Sequence, residues 1–356
     1  MSVTGSYNAE HRGRQARQNQ HITMNTAAAS IIMRAMRVMT PRDTSTLMYH
    51  GIPRNPEWND GLDARTFETQ VLFLKSTCRF ISVDELDEKR SQHGPQRVLL
   101  TFDDGFRNNF EVIAPVLRRH GIPALFFVSS RHCEPGKYLW FAYLRALARS
   151  FKGNGFSFRG EFFDMSAARR RTNLLRLRDQ LFSMTPHPSA MYRAIENELP
   201  ALRDFVPPEE ESDYFAGMTT EQVGELAADP LFQVGVHTVD HPLLTRCEQL
   251  EAQRQLGENQ AFLERVTGRS CEWVAWPGGD YDLRAIDICR RSRLRGGFAV
   301  VPRLRVASEW ELPRADIYSS RLNEVSFKTA LCRVMTAPGW LKFRVLLNDI
   351  RHRDAV

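Results

Sequence analysis

Apolar positions along this chain fall into two alternating rhythms. Short continuous apolar runs fit buried strands, and stretches with apolar residues every third or fourth position fit amphipathic helices. The runs at 47–50, 97–102, 124–128, 231–236, 272–276, 297–300 and 311–317 read as strands, the first followed by a Gly/Pro loop to Pro53. Between them lie helical stretches at 63–75, 108–120, 219–228, 249–267 and 283–293, with another beginning at Ser82, where Glu85 stands three residues on as a capping partner. Several helix ends carry their own signals, such as Thr219 or Thr220 as a cap and Gly268 as a stop. Strand, helix, strand with short connections is the βαβ unit, so the pattern predicts an α/β fold with a parallel sheet. A succession of such units in one chain predicts a barrel, whose chemistry sits at the carboxyl ends of its strands.

The rhythm changes between about 137 and 214. Helical spacing dominates there, at 140–150, 166–184 and 189–202, and the stretch closes on Pro207-Pro208 and Glu209-Glu210-Glu211. It reads as a helical insertion whose aromatic and leucine stripes are core. Residues 1–45 form a polar amino-terminal segment with a short helix at 31–38, and 46–320 form the main domain. The tail, 321–356, holds an amphipathic basic helix with Trp340, Phe343, Val345 and Leu346 among Lys342, Arg344 and Arg351. That helix is expected to dock on the domain, with peripheral membrane contact as the alternative.

Composition narrows the classes. The 356 residues are 42% hydrophobic, enough for a sizeable core. A formal charge of +6 comes from basic residues scattered over the chain, which excludes a dedicated nucleic-acid surface. Six widely spaced cysteines with no CxxC pair are expected to be reduced thiols. No apolar run is long enough for a transmembrane helix, and Arg34 and Arg37 interrupt the one stretch that might resemble a signal core, so a cytoplasmic location is expected.

The predicted strand ends are unusually polar: His50, Asp103 with Asp104, Ser129, His237, and Pro277-Gly278-Gly279. Adjacent carboxylates at the end of a buried strand need partners to stay ionised. Gly235-Val-His-Thr-Val-Asp-His241 offers them, because two histidines four apart at a strand end can bring both imidazoles to one point. Together these residues suggest an Asp/His/His metal site with room for water and substrate. Asp240, inside the histidine pair, is expected to point away as a supporting partner.

Thr101-Phe-Asp-Asp-Gly105 and His237-Thr-Val-Asp-His241 resemble the first two motifs of the polysaccharide deacetylases, carbohydrate esterase family 4, over about 45–320. The resemblance implies a distorted (β/α) barrel of the NodB homology type, with Asp103 as general base and Asp104, His237 and His241 as metal ligands. It implies a divalent metal, foremost zinc, with cobalt or manganese as alternatives. The chain departs from the commonest pattern in three places. Ala275 stands where the family has an arginine that pairs with the base, Gly278 stands where an aromatic often follows Pro277, and the carboxyl-terminal Leu-x-His motif is missing.

Leu47-Met-Tyr-His-Gly-Ile52 is similar to the opening of the circularly permuted branch, which includes the poly-N-acetylglucosamine deacetylases; there a histidine before the aspartate pair acts as the acid. His50 is therefore the expected acid. Arg314, in Leu312-Pro-Arg-Ala-Asp316, resembles a segment of that branch and is expected to bring positive charge to the base. The function implied is removal of N-acetyl groups from a sugar of a polysaccharide or lipid-linked glycan precursor, as in exopolysaccharide biosynthesis. The competing readings are an O-acetyl ester or formyl-amide hydrolase on a similar glycan, and a carbohydrate-binding pseudoenzyme.

Overall fold

The computed structural model describes residues 44–54, 62–87, 94–206, 215–300, 308–318 and 320–332. The helices expected at 31–38 and around 340–351 lie outside them. Seven strands close into a parallel barrel: β1 (Thr44–Tyr49), β3 (Gln96–Phe102), β4 (Ala124–Val128), β7 (Phe232–Val236), β8 (Trp273–Ala275), β9 (Gly296–Ala299) and β10 (Leu312–Asp316). Their order around the barrel is β1-β10-β9-β8-β7-β4-β3, and β3 closes the ring by pairing with β1 from Thr44↔Arg97 to Tyr49↔Phe102. A short strand, β2 (Cys78–Phe80), adds to the amino-terminal half of β3. The barrel is distorted at β8, which meets β7 through a single register pair, Val236↔Val274.

Alternation along β3 shows how the sequence builds two cores. Val98, Leu100 and Phe102 face outward to the helices, joining Phe126, Phe232 and Val274 in the larger apolar cluster. Leu99 faces inward with Leu125, Phe127, Trp273, Ala275 and Phe298. Fully burying side chains of this size stabilises the fold by about 1.5–3 kcal/mol each before ordering costs. The inward column of β3 continues through Thr101 to Asp103, so apolar packing at the barrel's base gives way to polar chemistry at its carboxyl end.

The helices follow the sequence pattern closely. α1 (Ala64–Thr77) is capped by Asp63, whose carboxylate accepts from the Thr66 N–H at 2.8 Å. The segment after Ser82 is shorter than expected. Glu85 accepts from the Ser82 N–H at 3.0 Å, as a capping partner should, yet the result is only a 3-10 turn, Val83–Asp87. A π-helical turn, Asn109–Ile113, leads into α2 (Ala114–His120), which ends at Gly121.

The insertion comprises α3 (Trp140–Ser150), a hairpin of β5 (Gly155–Phe158) and β6 (Glu161–Asp164), α4 (Arg170–Ser183) and α5 (Pro188–Glu198). The hairpin corrects the purely helical expectation. Phe156 and Phe158 alternate along one strand, and Arg159 and Gly160 turn the chain with φ of 51° and 80°, the two positive values that a tight hairpin turn requires. The insertion has its own core around Leu147, Phe158, Phe163, Leu181 and Met191. It is tied to the barrel where the Tyr192 hydroxyl donates to the Asp240 carbonyl at 3.0 Å and Arg131 pairs with Glu196.

Beyond the barrel helices α6 (Thr220–Ala228), α7 (Gln249–Thr267) and α8 (Leu283–Arg291), a further helix, α9 (Leu322–Cys332), opens the tail. It packs on β1 and β10, and the Ser45 hydroxyl donates to the Thr329 carbonyl at 2.7 Å. The five cysteines with described side chains are buried free thiols. Among the described residues no helix is long and apolar enough to cross a membrane.

Candidate active site

All barrel strands run parallel, so their carboxyl ends open on one mouth, and the polar strand ends gather there. Asp103 directly follows β3 and continues its inward column, and both of its oxygens accept from Arg314 of β10, at 2.6 and 2.8 Å. Arg314 is fully buried, also donates to the Thr101 hydroxyl at 3.3 Å, and lies 5.4 Å from the Phe127 ring centroid. Burial, the largest single influence, would raise the Asp103 carboxyl, but the charge and hydrogen bonds of Arg314 together with the nearby His237 and His50 hold the group below the ordinary carboxylate range.

Successive strand residues point to opposite faces, so two neighbouring aspartates can serve one site only where the strand ends abruptly. Asp104 does this with φ of 77°, and Gly105 follows at the same value. A Cβ at Gly105 would come within 2.7 Å of the Val128 side chain, so the turn requires glycine. The twist brings Asp104 Oδ1 to 3.3 Å from His237 Nε2 and 3.4 Å from His241 Nε2. The histidine loop bends the same way, with Thr238 and His241 at φ of 65° and 54°; the His241 N–H donates to the Thr238 hydroxyl at 3.1 Å.

These three side chains fit a cation. Their ligand atoms lie within 4.8 Å of one another. Asp104 Oδ1 is buried and makes no hydrogen bond of good geometry among the described residues. His237 Nδ1–H donates to the Ala275 carbonyl at 2.9 Å, which fixes the tautomer and leaves the Nε2 lone pair open to a cation. Burial pushes the His241 imidazole down to about 4, keeping it neutral. Burial acts the same way on His237, but the close approach of the Asp104 carboxylate and the charges of both aspartates reverse it and raise that imidazole.

His50 follows β1, half-buried at the same mouth, and stacks on Tyr318 with ring centroids 5.4 Å apart. Its Nδ1 is buried and makes no hydrogen bond among the described residues. Burial lowers its imidazole, against the opposing pull of Asp104 and Asp103. Pro277-Gly278-Gly279 forms a tight turn after β8, with both glycines at positive φ; the Gly279 and Asp280 amides bond back to the Trp276 and Pro277 carbonyls. Asp240 points away from the cluster and accepts from Gln255 at 2.6 Å and Arg254 at 2.9 Å.

Three positioning residues were not apparent in the sequence. Asn259 of α7 accepts from the His237 N–H at 2.9 Å and donates to the Val128 carbonyl at 3.0 Å, joining two strand ends. Gln255, one turn earlier, also accepts from the Asp240 N–H at 2.8 Å. Their signal was two amides inside the apolar stripe of an amphipathic helix, Ala252, Gln255, Leu256, Asn259 and Leu263. His132 lies between two carbonyls, with Nδ1 3.1 Å from Asp104 and Nε2 2.7 Å from Phe215. It buttresses the backbone of the strained aspartate.

A parallel barrel whose mouth gathers an Asp/His/His cluster beside an arginine-held carboxylate defines a barrel hydrolase. Residues 90–159 and 205–296 match the family model for polysaccharide deacetylase, and the chain belongs to that family. None of the curated proteins matches it. Among solved structures it resembles the Streptococcus pyogenes deacetylase PplD in complex with acetate, at 17% identity and a TM-score of 0.53, covering 82% of this chain and 99% of that one. It also resembles IcaB from Ammonifex degensii, at 17% identity and a TM-score of 0.50, covering 83% and 98%. At these identities the likeness is one of fold.

Proposed function

We propose that the chain is a metal-dependent deacetylase that removes N-acetyl groups from a sugar of a polysaccharide or lipid-linked glycan precursor. The observation that carries this reading is the convergence of Asp104, His237 and His241 on one point, beside an Asp103 kept ionised by Arg314. Asp104, His237 and His241 would hold a divalent metal, zinc foremost, which supplies Lewis acidity to water and to the amide carbonyl.

The chain's own residues do the rest. Asp103, oriented by the Arg314 fork, takes the proton of the attacking water. His50 delivers a proton to the departing amine, and its stacking on Tyr318 fixes the ring for that transfer. The Gly278 N–H is assigned to the oxyanion, and a bare glycine there lets a sugar approach the backbone. Arg314 fills the role left vacant by Ala275, which removes the main motive for reading the chain as a pseudoenzyme.

The test is acetate release from a panel of N-acetylated hexosamine oligosaccharides with zinc, cobalt or manganese, before and after chelation. O-acetylated and N-formylated analogues in the same panel separate the neighbouring hydrolase readings. Full activity after exhaustive chelation contradicts the proposal.

A further inference from the structure

α3 and α4 leave an open groove of about 470 Å³ on the insertion. Leu144, Leu174 and Leu175 give it an apolar surface, and Arg145, Arg171 and Arg178 stand among them, with no acidic residue in the lining. Leu175 is 43% exposed, an uncovered leucine surrounded by cations. Arg178 shares its charge with Asp179 at 2.7 Å, whereas Arg145 and Arg171 make no ion pair among the described residues. A fourth arginine, Arg170, is committed to the fold, donating to the Ala148 and Phe151 carbonyls.

Arg145 links this groove to the barrel mouth. Its guanidinium lies 5.9 Å from the Phe141 ring centroid, and Phe141 meets His241 edge to face at 4.9 Å. Its charge is also felt by His50 and Tyr318 at the ends of β1 and β10.

An apolar surface ringed by guanidinium groups is best covered by a molecule that is apolar along its length and anionic at one end. A neutral glycan offers neither property, and an acidic polysaccharide would leave the leucines bare. The terminal segments 1–43 and 333–356 both carry more basic than acidic residues, so charge disfavours them as occupants. We propose that the groove takes the hydrocarbon chain of a lipid-linked saccharide, with its phosphate between Arg145 and Arg171 and its N-acetylated sugar at the mouth. This rests on the deacetylase reading and names its substrate class.

The test uses the full chain and two exposed substitutions outside the catalytic machinery, Arg171→Glu and Leu175→Asp. Acetate release is measured from an N-acetylglucosaminyl long-chain prenyl pyrophosphate and from a soluble N-acetylglucosamine oligomer. Flotation is measured with phosphatidylcholine vesicles that are plain, doped with prenyl phosphate, or doped with phosphatidylglycerol. Each substitution is expected to lower kcat/KM for the lipid-linked substrate by about tenfold or more through KM, leaving the soluble oligomer within about twofold. Flotation is expected with prenyl phosphate vesicles and not with the others, and to be lost in both variants. Equal effects on the two substrates overturn the proposal, as does equal binding to phosphatidylglycerol vesicles, which would mark a general membrane surface. If neither substrate releases acetate, the deacetylase reading fails, and flotation still decides whether the groove holds a phosphate-bearing lipid.

Discussion

The guanidinium of Arg314 grips both oxygens of Asp103 through the barrel interior, past the intervening strand β1. The two residues are 211 positions apart in sequence. Ala275 of β8 lies in the inward layer of the barrel, whereas the positive charge on Asp103 comes from β10, a different strand than the commonest family pattern uses.

Removing one partner of such a pair leaves a buried charge uncompensated. Arg314→Met is expected to cost about 3–5 kcal/mol of stability, and to weaken acetate release by raising the Asp103 carboxyl. Arg314→Lys keeps the charge but loses the fork, so it should fall between Met and wild type. Denaturant unfolding and initial rates on the three proteins check this. Wild-type rates and stability in Arg314→Met would show that the pair matters to neither.

The same pair sets an acid limit on stability. The folded Asp103 carboxyl lies below its ordinary value of 3.8, so its contribution is fully present above that value and is lost as pH falls through the depressed folded one. Unfolding free energy measured from about pH 6 down to about pH 2 should therefore fall more steeply for wild type than for Asp103→Asn. Parallel curves would place the acid sensitivity elsewhere.

Asn259 fixes the backbone of His237, one of the three proposed metal ligands, from a neighbouring helix. Asn259→Leu strands the His237 N–H and the Val128 carbonyl, each at a cost of about 1–3 kcal/mol. Zinc affinity should drop by about 10–100-fold. Thermal unfolding and calorimetric zinc titration measure both, and undiminished zinc affinity would reduce Asn259 to a purely structural role.

Much of this architecture was legible in the chain. Buried strands such as 124–128 announce themselves by unbroken apolar runs, and Asp103, Asp104, His237 and His241 stand where those runs stop. The strained backbone could not be read, because φ at Asp104 and His241 is imposed by closure of the loops around one point. Asn259, Gln255 and His132 were hidden for another reason. Their partners are mostly backbone groups, which leave no residue type to recognise. The β5–β6 hairpin carried its own signal in Phe156, Phe158 and the Arg159-Gly160 turn, but the surrounding helical rhythm masked it.

His50 should matter in proportion to how badly the leaving group needs a proton. His50→Ala is expected to slow acetate release from an N-acetylated sugar by about 10²–10⁴-fold, with zinc affinity unchanged. An activated aryl acetate, whose leaving group departs unprotonated, should lose far less. Equal losses on both substrates would mean that His50 does not deliver the proton.

The central claim assigns different tasks to neighbouring aspartates and the histidines facing them, and one paired measurement separates these tasks. Zinc content and acetate release are determined together for wild type, Asp103→Asn and His237→Ala on an N-acetylated hexosamine oligomer. The predicted result is that Asp103→Asn keeps its zinc and loses acetate release, whereas His237→Ala loses both. Undiminished acetate release from Asp103→Asn, or from a His237→Ala protein free of metal, would contradict it.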